Sequence, residues 1–215
     1  MTRALAGWLL GALLAAALES AGAQEQHRKP NSLLLIAKPH LSDPNFRRTV
    51  VLVTQADDAS TIGVIINRPT RLRLQQLMSR ELPTENYRDS VYEGGPVMLQ
   101  VLVALFRAED VPGAHAFPVL KGVYLTLHPD NIEKLLADPK ASYRLYAGFS
   151  GWAPRQLESE FRRDGWYVLP ADEATVFRAR MDGLWEELVE KAERSGPRTR
   201  RGEIDPMAGL GDALQ

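Results

Sequence analysis

The feature that most constrains this fold is a series of short apolar runs, each closed by proline, glycine or polar residues. The clearest lie at residues 33–37, 49–54 and 62–66 and are rich in leucine, valine and isoleucine. β-Branched residues fit the pleated surface of a sheet, and runs of this length are typical of strands. Successive apolar positions within a run indicate that both faces of the strand are covered. The sequence therefore predicts a buried β-sheet at the centre of the fold.

Further runs bring the predicted strands to seven, the others lying at 101–106, 123–127, 143–149 and 166–169. Four helices are predicted from capping residues and apolar spacing, and they begin at or just after Thr70, Pro129, Pro154 and Asp172. The fourth is the longest, because apolar residues from 177 to 192 follow the 3.6-residue period. Strands and helices interspersed in this way predict a single α+β domain around a mixed sheet.

The N-terminal segment has the features of a secretory signal peptide. Arg3 is followed by an unbroken apolar run at 4–18 and then by Ala21, Gly22 and Ala23. This order predicts that residues 1–23 are a signal peptide, cleaved after Ala23, and that the protein is periplasmic or exported. An uncleaved inner-membrane anchor is the alternative, although the run is shorter than the about 20 residues that span a bilayer.

The remaining chain is predicted to divide into a linker at 24–31, the domain at 32–194 and a tail at 195–215. The tail is rich in proline and glycine and has no periodic apolar face, which is typical of disorder. It carries a small basic cluster at Arg198, Arg200 and Arg201 that could contact a phosphate or an acidic partner. A solvated tail is the simpler interpretation.

Composition and motifs exclude several kinds of chemistry. A net charge of −1 argues against direct DNA binding, and the absence of cysteine removes disulfides, thiolate nucleophiles and iron–sulfur ligation. The four histidines form no compact metal-binding motif, and no phosphate-binding glycine loop is present. The sequence therefore predicts neither a metal nor a cofactor.

No complete catalytic constellation is found. Ser150 lies between Gly148 and Gly151 at a strand-to-helix junction, but a nucleophile elbow needs glycine where Trp152 stands. Glu158 and Glu160, two residues apart on a predicted helix, point in different directions. We therefore expect a non-enzymatic binding or regulatory protein, with an unidentified protein or small molecule as its partner. The alternative is a hydrolase or transferase that uses Asp43, Asn67 and Glu158 together.

Polar and aromatic residues at strand ends are the candidate binding residues, because open sheets commonly place a cleft there. They are Asp43, Asn45, Arg47, Asn67, Arg68, Trp152, Gln156 and Glu158. A second group is predicted to determine the fold at sharp bends and at the strand-to-helix junction, and comprises Gly94, Gly95, Pro96, Gly148, Gly151 and Trp166.

These same segments carry a resemblance to the YqgE/AlgH family of bacterial proteins. The matching motifs are 34–39 with Asp43, Pro44 and Phe46; 63–64 and 66–69; 94–97; and 148–149, 151–152, 154 and 156–158 with Glu160, Gly165 and Trp166. The resemblance covers roughly residues 32 to 190. It implies an α+β fold in which a bent, branching sheet forms a pseudo-barrel. It also implies a cytoplasmic transcriptional regulator without an established biochemical activity.

The chain departs from the family pattern in three places. The family commonly has histidine at the end of the second strand, where this chain has Gln55 or a neighbour, and glycine where this chain has Arg155. Its members are generally cytoplasmic, whereas this chain begins with an apparent export signal. If the segment is an export signal, the protein cannot act on chromosomal DNA. If the segment is not an export signal, the resemblance implies a cytoplasmic transcriptional regulator.

Overall fold

The predicted apolar runs form one curled sheet in a computed structural model of the protein, which describes residues 32–56, 58–77, 90–110, 112 and 115–195. All seven predicted strands are present, and three further strands join them. The predicted signal peptide, the linker and residues 196–215 of the tail lie outside the described residues. Within the described ranges, no helix is long and apolar enough to span a bilayer.

The strands are β1 (Leu33–Ala37), β2 (Val50–Gln55), β3 (Thr61–Ile65), β4 (Pro69–Arg73), β5 (Ser90–Glu93), β6 (Val97–Arg107), β7 (Ala116–Leu120), β8 (Val123–Thr126), β9 (Tyr143–Trp152) and β10 (Trp166–Pro170). The helices are α1 (Leu74–Leu77), α2 (Pro129–Ala137), α3 (Gln156–Arg162), α4 (Glu173–Val176) and α5 (Leu184–Ser195).

The sheet runs in the order β10-β1-β2-β3-β9-β6-β8-β7 and branches at β9. Strand β5 pairs with β9 in parallel and carries β4 on its other side, while the remaining ladders are antiparallel. The sheet curls until β7 approaches β2, where the Thr54 hydroxyl donates to the carbonyl of Pro118 at 3.0 Å. This single α+β domain is therefore built on a mixed sheet that forms a curled half-barrel.

Strands β4, β5 and β7 were not predicted, and β4 shows the reason. It begins with Pro69, contains two arginines and lies largely exposed, so it lacks the apolar pattern of a buried strand. Thr70 was predicted to cap a helix, but its hydroxyl donates to the carbonyl of Val91 at 2.5 Å and accepts from the Leu72 N–H. The helix consequently begins at Leu74.

The prediction of one long helix from Asp172 to Ala192 is wrong, because the segment forms α4 and α5. Asp172 does cap α4, accepting from the Thr175 N–H at 2.8 Å. The guanidinium of Arg144 then donates to the carbonyls of Val176 and Arg178, which a continuing helix would use itself. Gly183 has a φ of +73° just before α5 begins. The apolar spacing suggested one continuous helix because residues on both sides of the break pack into the same core. These residues are Val176, Met181, Leu184 and Leu188.

Apolar clusters cover both faces of the sheet, as the unbroken apolar runs predicted. Four successive residues of β1, from 34 to 37, are fully buried. One cluster packs beneath α5, and the opposite face packs against Leu157 of α3. A third cluster buries Ile132 and Leu136 of α2. The sheet is thus enclosed in the middle, and open surface is confined to its ends and edges.

Candidate functional site

Three of the candidate binding residues meet at one end of β3. The Asp43 carboxylate accepts from the Asn45 N–H at 2.8 Å, which closes a tight turn. The Asn45 carbonyl accepts from the Arg68 guanidinium at 3.0 Å, and Arg68 also pairs with Glu93 at 2.7 Å. These polar groups therefore hold the loop before β2 against the end of β3.

Asn67 joins the same loop to the sheet. Its side-chain oxygen accepts from the Val50 N–H at 2.8 Å, and its amide nitrogen donates to the Arg48 carbonyl at 3.0 Å. Each half of the amide thus satisfies a backbone group beside β2. This use of Asn67 is structural, because its donor and its acceptor are already engaged.

An aromatic cluster lies behind this loop and surrounds one carboxylate. The indole N–H groups of Trp152 and Trp166 donate to the two oxygens of Glu160 at 3.1 and 3.0 Å. Phe46 stacks on Trp152 and meets Trp166 edge-on, with ring centroids 5.8 and 5.5 Å apart. Trp152, at the strand-to-helix junction, is only 2% exposed. Phe46 thus contacts both indoles, and the three rings pack together behind the loop.

The remaining candidates are not joined into one site. The Gln156 side-chain oxygen accepts from the Ala153 N–H at 3.1 Å and so fastens the start of α3. Across the described ranges, the side chains of Arg47 and Glu158 make no hydrogen bond or ion pair, and no contact links Glu158 to Asp43 or Asn67. Six of the eight candidates thus have structural partners. The hypothesis that Asp43, Asn67 and Glu158 act together finds no support in these contacts.

The predicted fold-determining glycines differ in what they do. Gly95 and Gly148 have φ values of +148° and +69°. A Cβ on Gly148 would lie 2.7 Å from the Gly95 carbonyl oxygen, and one on Gly94 would overlap the Gly148 carbonyl, because β9 passes close to the turn between β5 and β6. Gly151 has an ordinary φ and space for a Cβ, while Pro96 is exposed. The steric argument therefore applies to Gly94, Gly95 and Gly148, and it does not extend to Gly151.

The larger open cleft lies elsewhere, between the ends of β6 and β8, helix α2 and the loop before β9. It has a volume of about 1190 Å³. Four cations line it, Arg107, Lys121, Lys134 and Lys140, together with the carboxylates of Glu109, Asp138 and Glu173. We call it the lysine cleft. None of its residues was a candidate from sequence, because the lysines come from separate segments without a shared motif.

Charge in the lysine cleft is only partly compensated. Arg107 pairs with Glu173 at 2.6 Å and donates to the Ser142 hydroxyl at 2.7 Å. The Asp138 carboxylate accepts from the Lys140 backbone N–H at 2.8 Å. The side chains of the three lysines have no ion pair or hydrogen bond with any described residue. The cleft therefore presents ammonium groups whose charge the surrounding protein leaves open to a ligand.

A second, smaller groove of about 630 Å³ lies beside Trp152. Its walls are mainly apolar, formed by Ile62, Val97, Phe117 and Phe149. Asp58 lies at its rim, where hydrogen bonds from the Ser60 hydroxyl and N–H hold the pKa of the carboxyl below its usual range. A carboxylate kept ionised in this way is unsuited to act as a general acid at neutral pH.

Two histidines stack at the start of α2. The rings of His115 and His128 lie 4.5 Å apart and only 10° from parallel. Stacked parallel rings cannot both direct a nitrogen lone pair at one ion, because each lone pair lies in its own ring plane. Among the residues that the structure describes, no three His, Asp or Glu side chains are grouped to hold a metal.

Comparison with known proteins identifies relatives over most of the chain. The family profile described as AlgH-like matches residues 34–195. A UPF0301 protein of Myxococcus xanthus is 35% identical over 156 residues, which are 71% of this chain and 85% of the relative. A UPF0301 protein of Streptomyces avermitilis is 30% identical over 162 residues, which are 74% of this chain and 84% of the relative.

Solved structures share the fold. The solution structure of the AlgH protein from Pseudomonas aeruginosa matches with a TM-score of 0.63 at 24% identity, over 88% of this chain and 97% of that one. A crystal structure of a Corynebacterium diphtheriae protein matches with a TM-score of 0.57 at 22% identity, over 81% and 92%. The family profile and the curated relatives together show that this chain belongs to the AlgH-like (YqgE/AlgH, UPF0301) family.

Proposed function

We propose that this protein is a non-enzymatic binding protein that takes up its ligand in the lysine cleft. The observation that carries the proposal is the uncompensated charge of that cleft, whose three lysines have no partner among the described residues. A concave surface with a few convergent polar groups is the usual form of a ligand site. The lysine cleft is also larger than the groove beside Trp152.

The contacts at the strand ends support binding over catalysis. A catalytic group needs a free acceptor, donor or lone pair at the reacting atom. Asn67 and Gln156 instead satisfy backbone groups, and Glu160 satisfies two indoles. Of the three residues in the enzyme alternative, Asn67 is therefore engaged in holding the fold together, and Glu158 has no contact that joins it to Asp43 or Asn67.

We also propose that residues 1–23 export the protein, so that its partner is an envelope protein or a small molecule of the periplasm. N-terminal sequencing of the native protein tests this directly. Gln24 as the first residue is the expected result. An intact Met1 or Thr2 on soluble cytoplasmic material would contradict export and restore the regulator hypothesis. An intact N-terminus on membrane material would indicate an anchored domain instead.

Chemical-shift mapping tests the binding proposal. Isotope-labelled protein is titrated with a library of neutral, cationic and anionic metabolites while backbone amide shifts are recorded. We expect saturable shifts that cluster around Lys121, Lys134 and Ser142. Shifts confined to the groove beside Trp152, or conversion of a library compound into product, would contradict the proposal.

A further inference from the structure

We propose that the ligand of the lysine cleft is a small molecule that carries two or more anionic groups, carboxylates or phosphates, bound by Lys121, Lys134 and Lys140. This inference rests on the proposed function and names the ligand class for the same site. It follows from the number of uncompensated cations, from the shape of the cleft and from the positions of the lysines.

The lysines approach the cleft from three different elements. Lys121 lies in the turn between β7 and β8, Lys134 on α2 and Lys140 in the loop that leads to β9. Because these elements are separate in the chain, the three lysines do not form a charged stripe along one helix or strand. A ligand with two or more negative groups can pair with lysines of different elements at once.

The carboxylates of the cleft do not neutralise these lysines. Glu173 is paired with Arg107, and one oxygen of Asp138 accepts from a backbone N–H. Glu109 also lines the cleft but makes no ion pair with a described residue. Three ammonium groups thus face at most two carboxylates that lack a cationic side-chain partner, which favours an anion over a cation as the ligand.

The shape of the cleft favours a small molecule. Its volume of about 1190 Å³ is slightly above the usual range for small-molecule sites, about 300 to 1,000 Å³, and leaves room for a small organic molecule. Phe106 and Leu135 contribute apolar surface to its lining, which suits a ligand with a carbon skeleton between its charged groups. A polymeric anion would need a long basic surface, and a chain with a net charge of −1 has no overall positive field to supply it.

One lysine has a second explanation. Lys134 lies in the last turn of α2, where a cation stabilises the helix dipole whether or not a ligand binds. Lys121 and Lys140 lie outside helices, so the dipole does not account for them. These two residues therefore provide the cleaner test.

The test is calorimetric titration of the folded protein with citrate and, separately, with pyrophosphate at constant ionic strength. The test variant is Lys121→Ala with Lys140→Ala, both exposed residues. The control is Arg162→Ala with Lys191→Ala, which removes the same charge from exposed positions outside the cleft. Thermal melting of both variants confirms that they fold.

We expect saturable binding of at least one probe to the wild type. The test variant should weaken it about fivefold or more, as the loss of two exposed charge contacts implies, and the control should stay within about twofold. A preference for citrate would assign carboxylates to the ligand, and a preference for pyrophosphate would assign phosphates.

No saturable binding of either probe, or equal weakening in both variants, would overturn the inference. If neutral compounds still shift the cleft amides, the proposed function survives that result; if none do, both fail.

Discussion

The carboxylate of Glu160 lies 3.1 Å from the indole nitrogen of Trp152, and its other oxygen holds the indole of Trp166 at 3.0 Å. A single side chain of α3 thus satisfies two buried donors, one from β9 and one from β10. The relationship explains how three segments of the chain are fastened behind the loop before β2.

Replacing Glu160 by alanine should destabilise the domain by about 3 kcal/mol, because two buried N–H groups lose their acceptors. Glu160→Gln should cost less, since its amide keeps one acceptor oxygen. Urea unfolding measures both free energies. The control is Glu158→Ala on the same helix, which should stay within about 0.5 kcal/mol of the wild type. Equal losses at the two positions would contradict the structural role of Glu160.

Arg155→Gly should stabilise the protein by up to about 1 kcal/mol. Arg155 has a φ of +64° just before α3, a conformation that costs a residue with a Cβ but not glycine. Arg162→Gly, at the end of the same helix with helical backbone, should instead lose up to about 1 kcal/mol. A loss of stability in both variants would show that the backbone at 155 is not strained.

Gly148→Ala should destabilise more than Gly183→Ala. Both glycines have φ near +70°, so both substitutions incur a similar backbone cost of about 1 kcal/mol. A Cβ at Gly148 would also meet two carbonyl oxygens at 2.7 and 2.9 Å, whereas one at Gly183 meets nothing within 4 Å. Overpacking should add roughly 2 kcal/mol at Gly148. Equal melting temperatures for the two variants would contradict the close approach of β9 to the turn between β5 and β6.

Tyr146→Phe should leave stability unchanged or raise it by up to about 1 kcal/mol. The Tyr146 hydroxyl is fully buried without a hydrogen-bond partner among the described residues. Burial raises the pKa of the phenol, although the positive charge of Arg144 acts in the opposite direction. Phenylalanine removes only that unsatisfied group. Tyr167→Phe is the matched control, and it should lose a little stability because its hydroxyl donates to Glu193 at 3.1 Å. A clear loss in Tyr146→Phe would indicate a buried water bound to the hydroxyl.

The sequence predicted the elements whose pattern is local. The central strands have continuous apolar runs, and Ile132 with Leu136 has helical spacing, so both were recognisable without tertiary information. Strand β4 has no such pattern because it is an exposed edge. The break between α4 and α5 depends on Arg144, a distant residue whose guanidinium ends the first helix. A contact between residues so far apart in the sequence cannot be predicted from local sequence patterns.

The candidate site was less accessible to sequence analysis, for a related reason. Residues at strand ends were proposed as binding residues, and among them Asn45 and Arg68 are joined by a hydrogen bond. Their hydrogen bonds show that these residues stabilise the fold. The residue types alone could not distinguish this structural role from ligand binding. The lysine cleft escaped prediction because lysine is common on any surface. Whether the charge of a lysine is compensated depends on which carboxylates lie nearby, and these neighbours are known only from the folded structure.

The pairing of β1 with β10 sets Leu33 beside Pro170, so the two ends of the domain share one ladder. A chain emerging from the ribosome can form the β1–β2–β3 meander early, but it cannot complete that edge until β10 has also been synthesised. Strand β9, which joins the two halves of the sheet, also arrives late. Topologies dominated by such distant contacts fold slowly. We therefore expect β1 to lack its edge partner β10 during most of the time in which the domain is being synthesised.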